Sequence, residues 1–166
     1  MNIVANKGDL FSIYLDKDFF CLGVVADKWK SELYIVIFKE KFDSTTDLSE
    51  IELDQLTPVI ASSSLDAKIW HGHWPIISRD CDTSKILQPI YKVEESGGAV
   101  TESFDRKHRK QVTIDVLDKL RYRKGVAPVR LEKAIKAYHG VGEWDPTFEE
   151  LRFSYVEESN LLVKAV

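Results

Sequence analysis

Two cysteines in 166 residues, Cys21 and Cys81, are too few for a disulfide scaffold. They lack CxxC spacing, so a reducing, cytoplasmic setting is expected, with a single Cys21–Cys81 bridge left open. No window approaches the roughly 18 apolar residues of a membrane-spanning helix, so no membrane role is expected. The start, MNIVANKGDLF, has one lysine and no apolar run, so no secretory leader is expected either. Eight glycines and five prolines are scattered too thinly to make a dividing linker. Repeats and low-complexity tracts are absent, and one domain spanning 1–166 is expected. Catalytic signatures are also missing. There is no GxSxG elbow, no HExxH and no Gly-rich phosphate loop, which argues against an enzyme and against a cofactor.

What is present is a composition of 44% hydrophobic and 30% charged residues, that of a soluble globular protein. The net charge of −4 conceals an asymmetry. Residues 106–139 hold 11 Lys/Arg against 3 Asp/Glu, and the rest is strongly acidic. Such a split suits a charged partner, although a solvated surface explains it equally well.

The first half reads as strands. LFSIYL (10–15) and FFCLGVVA (19–26) flank the polar turn DKD and form a hairpin, with Gly23 marking a bulge or the close approach of another backbone. ADKWKSE is the next turn, and LYIVIFKEKF (33–42) is the strongest strand signal. Residues 43–66 are acidic and admit a short helix from Ser49 or a strand across IELDQL. AKIWHGHWPII (67–77) reads as a strand, ILQPIYKV (86–93) as an edge strand, ESGGAVTESFD as a loop and KQVTIDVL (110–117) as one more strand. The fold class is therefore α+β: a mostly antiparallel sheet that curls toward a barrel or half-barrel, followed by a C-terminal helix pair.

EKAIKAYHGVGEWDP (132–146) poses the question of catalysis most sharply. Pro128 suits a first helical position, and Leu131, Ala134, Ile135 and Tyr138 make one stripe. Gly140 is the expected C′ residue. His139 then falls in the last turn, where a partly cationic imidazole would face unpaired carbonyls. Asp145 and Pro146 cap a second helix, PTFEELRF, and Trp144 plugs the corner between the two. Helix punctuation accounts for the cluster better than an active site does.

Two other constellations are weaker. His71 and His73, at i and i+2 of the expected strand, would share a face, with Asp80, Cys81 and His108 as further metal ligands. Trp70, Gly72 and Trp74 have the opposite parity, which fits a solvent-facing histidine pair instead. The basic runs RKHRK (106–110) and RYRKG (121–125), interleaved with Phe104 and Tyr122, offer an alternative function as a nucleic-acid-binding module over 104–125.

The order of features resembles the bacterial immunity protein 26 family. GDLFSIYLDKDFFCLGVV resembles its opening, GHWPIIS an internal segment, and PVRLEKAIKAYHGVGEWDPTFEELRF its C-terminal helix–turn–helix, together spanning about residues 8–153. Carried to this chain, the motif residues are Gly8, Asp9, Phe11, Gly23, Trp74, Tyr138, Gly140 and Trp144, and they look like determinants of fold. The resemblance implies a mostly β core, no catalysis, and stoichiometric, non-covalent neutralisation of a cognate toxin. Such toxins include the C-terminal domains of contact-dependent growth inhibition systems, many of them nucleases with basic grooves. An acidic protein would be steered to such a groove, which nominates Asp43, Asp47, Glu50, Glu52 and Asp54, with Glu149 and Glu150, as toxin-binding residues.

Overall fold

Alternating apolar residues in LFSIY and FFCLGVVADKW build β1 (Leu10–Tyr14) and β2 (Phe19–Trp29), a hairpin in the computed structural model, which describes residues 2–164. Asp16 fixes the turn, its carboxylate accepting the backbone N–H of Asp18 at 2.8 Å and of Phe19 at 2.9 Å. β2 runs on through Asp27–Trp29, residues expected in a turn, because Leu33 and Tyr34 of β3 (Glu32–Phe38) supply a ladder for them. The reversal is confined to Lys30 and Ser31. Beyond β3 the chain breaks at residues 39–41, and the two-residue β4 (Phe42–Asp43) pairs with the start of β2.

Neither a helix from Ser49 nor a strand across IELDQL forms. Two 3-10 turns, Leu48–Glu50 and Leu53–Gln55, occupy the stretch. They lead into an unexpected strand, β5 (Pro58–Ser64), paired antiparallel with β3. Pro58 is its first residue, where a missing N–H is tolerated. AKIWHGHWPII is not a strand either. Ala67–Trp70 is a helical turn, α1, and only Ile76–Ser78, β6, extends beside β1. Ile69 and Trp74 are the buried residues here, a spacing that no strand parity produces.

Downstream, β7 (Ile90–Glu95) follows Pro89, and its partner β8 (Gly98–Ser103) replaces the expected loop. Ser96–Gly97 is a two-residue hairpin turn, and Ser-Gly-Gly between the two apolar stretches is the local signal for it. β9 (Arg109–Lys110) adds a short third strand. Ile114–Lys119 is a helix, α2, instead of a strand. Thr113 precedes it in extended conformation, and none of its residues is buried. β10 (Gly125–Val126) pairs parallel with β5. α3 (Pro128–Tyr138) begins at the proline as expected. The second expected helix, PTFEELRF, is a 3-10 helix, Pro146–Leu151, and α4 (Ser154–Lys164) was not anticipated.

These elements divide between two compact units: the described residues up to Ile86 with Gly125–Phe153, and Leu87–Lys124 with the segment from Ser154. The larger unit holds a mixed, mainly antiparallel sheet in the order β10-β5-β3-β2-β1-β6, and the sheet is open, not closed into a barrel. The smaller unit holds β7-β8-β9. The architecture is α+β, and no described helix is long and apolar enough to cross a membrane.

In the larger unit Phe11, Ile13, Cys21, Val25, Ile35 and Ile37 point to one face, against Leu131, Ala134 and Ile135 of α3. Leu131 and Ile135 are fully buried, each contributing about 1.5–3 kcal/mol. Phe11 lies flat on Trp74, with ring centroids 5.1 Å apart and planes within 2°. Gly23 makes room for this pair. There is no bulge at Gly23, which sits in regular register opposite Phe11, and it is the Phe11 ring, not a backbone, that comes close. A Cβ at Gly23 would lie 2.6 Å from two of the ring carbons. Asp9 secures the entry to β1. Its buried carboxylate accepts the Asn6 N–H at 2.7 Å and Arg79 Nη1 at 3.2 Å.

Gly23→Ala is expected to displace the stacked Phe11 and Trp74 rings and lower stability by about 1–3 kcal/mol in chemical denaturation, a cost of overpacking. An unchanged denaturation midpoint would show that the ring has somewhere else to go.

Candidate interaction surface

The corner after α3 follows from its last three residues and the glycine beyond. The Gly140 N–H bonds the Ala137 carbonyl at 3.0 Å and the Val141 N–H bonds the Lys136 carbonyl at 2.8 Å, the paired pattern of a Schellman motif. Gly140, at φ 82°, supplies the left-handed residue this requires. His139 is the C-cap residue, as expected in place, but not in charge. Burial, and then the nearby Lys41 ammonium, lower its pKa, against a weaker pull from a hydrogen bond with the Lys39 backbone. Its imidazole is therefore neutral near neutral pH, and its buried Nε2 has no hydrogen-bond partner. A neutral ring with no acid, base or nucleophile bonded to it is a packing group. Trp144 only half plugs the corner. It meets Phe148 edge-on at 5.4 Å, donates its indole N–H to Glu149 at 2.9 Å and carries the Arg152 guanidinium over its ring at 4.4 Å.

The acidic stretch forms the loop between β4 and β5. Asp43 accepts from the Thr45 hydroxyl at 2.6 Å and its N–H at 2.9 Å, and Asp47 does the same for Ser49 at 2.6 and 3.0 Å. These bonds favour the ionised forms and hold both carboxyls below the usual carboxylate range. Both residues thus shape the loop while staying charged. Glu50 and Glu52 are exposed, and their carboxylates have no partner among the described residues. Asp54 approaches Lys85 at 3.9 Å, an exposed pair worth about 0–1 kcal/mol.

Glu149 and Glu150 differ from that stretch. Arg152 grips Glu149 with Nε at 2.7 Å and Nη2 at 3.0 Å, holding its carboxyl low, and Arg130 reaches Glu150 at 2.8 Å. They brace the corner. The loop and the corner nevertheless converge on one end of the sheet. The Lys39 N–H bonds the Thr57 carbonyl at 2.9 Å, His139 bonds the Lys39 backbone, and the Phe153 N–H bonds the Val59 carbonyl at 2.9 Å. These bonds tie the end of the loop and the end of the corner segment to the start of β5.

The basic segment of the smaller unit is largely committed internally. Glu102, 3% exposed, is held by Arg123 at 2.6 Å and Arg109 at 2.7 Å, and Arg109 also pairs with Glu95. Arg121 stacks over Tyr155 at 4.3 Å, and Arg106 Nη1 donates to the Phe104 carbonyl at 2.7 Å. Phe104, nominated to stack on bases, is fully buried. Tyr122 is exposed but bonded to Glu94 at 2.8 Å. This leaves fewer cations for phosphate than the sequence implies.

His71 and His73 lie on the exposed turn after α1, so the strand parity that placed them on one face does not apply, and their rings are 6.2 Å apart. Asp80 and Cys81 belong to the same unit and His108 to the other. No group of three His, Cys, Asp or Glu able to hold a metal occurs among the described residues. Cys21 and Cys81 are free thiols and no bridge joins them. Burial pushes the Cys21 thiol up to about 12, leaving it unreactive.

A family model, that of immunity protein 26, matches residues 6–99, more than half of the chain. The match runs from the Asp9 lock through β8's first residues and leaves out the α3 corner. No curated protein and no solved structure gives a match.

The neutral His139 has a testable consequence. Its folded-state pKa lies below the unfolded value, so the unfolded chain takes up the proton first as pH falls. Stability is therefore lost on descending through about pH 6.5 toward the lower folded pKa. His139→Gln should flatten the melting temperature between about pH 7 and 5 relative to wild type. In the smaller unit, Glu102→Ala leaves two guanidiniums beside a buried gap and should cost about 2–4 kcal/mol by urea denaturation.

Proposed function

The chain belongs to the immunity protein 26 family, and from that premise we propose that it neutralises the C-terminal domain of a cognate polymorphic toxin of the contact-dependent growth inhibition kind. It does so in the cytoplasm of the producing cell, as one 1–166 domain, by stoichiometric, non-covalent binding and without turnover. The toxin is a nuclease whose substrate groove is basic.

The observation that carries this reading, beyond the family, is the loop of residues 43–57. It holds five carboxylates and no lysine or arginine. Asp43 and Asp47 are kept ionised by their own hydroxyl and amide bonds, and Glu50 and Glu52 stand exposed with no compensating cation. Loops of this kind raise the rate at which a basic partner arrives and discriminate against acidic ones. Asp54, Glu149 and Glu150 complete the proposed contact surface, each beside a cation, Lys85, Arg152 and Arg130 respectively.

The test is the triple reversal Glu50→Lys, Glu52→Lys, Asp54→Lys, which breaks no hydrogen bond that shapes the loop and only the exposed Asp54–Lys85 ion pair. Association with the toxin domain, measured by stopped flow, should slow about 10-fold or more at low salt and lose most of its ionic-strength dependence. Unaltered association kinetics would remove the loop from the encounter surface.

A further inference from the structure

An aromatic strip crosses the corner beside the acidic loop. Tyr138 is 38% exposed and meets His139 edge-on at 5.1 Å. Val141, 39% exposed, follows one turn later. Trp144 lies half-buried, with Arg152 stacked on its ring and Phe148 beneath it.

Three of these residues are held in place. The Schellman turn fixes Val141, the Trp144 indole is held by Glu149, and Arg152 is held by the same carboxylate. A tryptophan and an arginine held against each other, with a part-exposed tyrosine at the end of α3, have the composition of a binding hot spot. Around them, segments 43–57 and 138–152 carry nine acidic residues and one basic residue. Lys41 and Arg130 also lie at this rim, yet acidic residues outnumber basic ones there, so an apolar centre within a net acidic rim suits a partner whose apolar contact is surrounded by Lys and Arg.

We infer that Tyr138, Val141 and Trp144, with Arg152, form the central contact for a basic toxin domain. The inference rests on the toxin-neutralising reading and adds the residues that hold the complex together. It assigns two separable roles. The acidic loop governs arrival, and the strip governs residence.

The experiment uses the full chain and the catalytically inactivated C-terminal domain encoded by the reading frame immediately upstream, with rates followed by surface-bound kinetics. Tyr138→Ala and, separately, Val141→Asp should raise the dissociation rate about 10-fold or more and change the association rate less than about 3-fold. Both sites are part-exposed, so thermal unfolding of each variant should stay close to wild type, which separates lost contact from lost fold. Tyr138→Phe should restore most of the residence time. Dissociation unchanged in both variants, alongside slowed association in the loop reversal, would overturn the strip and leave the toxin-neutralising reading standing. Failure of the wild-type chain to bind that domain would overturn both.

Discussion

Trp74 is the point from which the larger unit hangs. One face of its indole stacks on Phe11, which can lie flat only because Gly23 opposite has no side chain. Its N–H is accepted by Glu132 of α3 at 3.1 Å, and the other oxygen of the same carboxylate takes Lys68 of α1 at 3.2 Å. A single ring therefore couples β1, β2, the turn after α1 and the helix that roofs the sheet. An indole N–H buried without an acceptor would cost about 1–3 kcal/mol, so Glu132 is tied to this geometry as firmly as the ring. The position of α3, and hence of the corner at its end, follows from that contact.

The carboxylates of this chain fall into distinct physical groups, and composition alone does not distinguish them. Glu102, Asp9 and Glu132 are screened from water and satisfied by cations and N–H groups, so they specify internal geometry. Asp16, Asp43, Asp47 and Asp145 cap turns and remain charged at the surface. Glu149 and Glu150 are exposed or part-exposed yet engaged by arginines. Glu50 and Glu52 are exposed, with no partner for their carboxylates among the described residues. The same sorting reverses the impression left by the basic segment, two of whose arginines, Arg109 and Arg123, hold one buried glutamate.

The parts of the fold legible in the sequence were those governed by a local rule. The β1–β2 hairpin is announced by its alternation and Asp turn, and α3 by Pro128, its stripe and Gly140. The parts that were missed depend on partners far along the chain. β5, with three serines and a leading proline, has little intrinsic strand preference and forms because β3 and β10 flank it. Residues 67–77 look strand-like only while Trp70, Gly72 and Trp74 are counted by parity. What decides them is that Ile69 and Trp74 both have to reach the α3 side of the sheet. His139 was placed correctly and charged wrongly, because neither its burial nor the approach of Lys41 is visible locally. The acidic loop was legible as charge, whereas the commitment of Glu149 and Glu150 to Arg152 and Arg130 was not.

A protein that neutralises by occupancy has to solve two problems with one surface. It must meet its target before damage begins, and it must not let go. Long-range charge addresses the first, since unpaired carboxylates act over about a Debye length, roughly 8–10 Å, without any fixed geometry. Contact addresses the second, and it requires side chains whose conformations are already settled, because every rotor frozen on binding subtracts from affinity. On the proposed reading, the larger unit separates these demands in space. Its loop carries exposed charges on a backbone pinned by Asp43, Asp47 and the Glu40–Thr57 bond. Its corner carries rings immobilised by a helix cap and an arginine–glutamate pair. The cluster around Gly140, which at first sight suggests catalysis, is better understood as the rigidity such a contact requires.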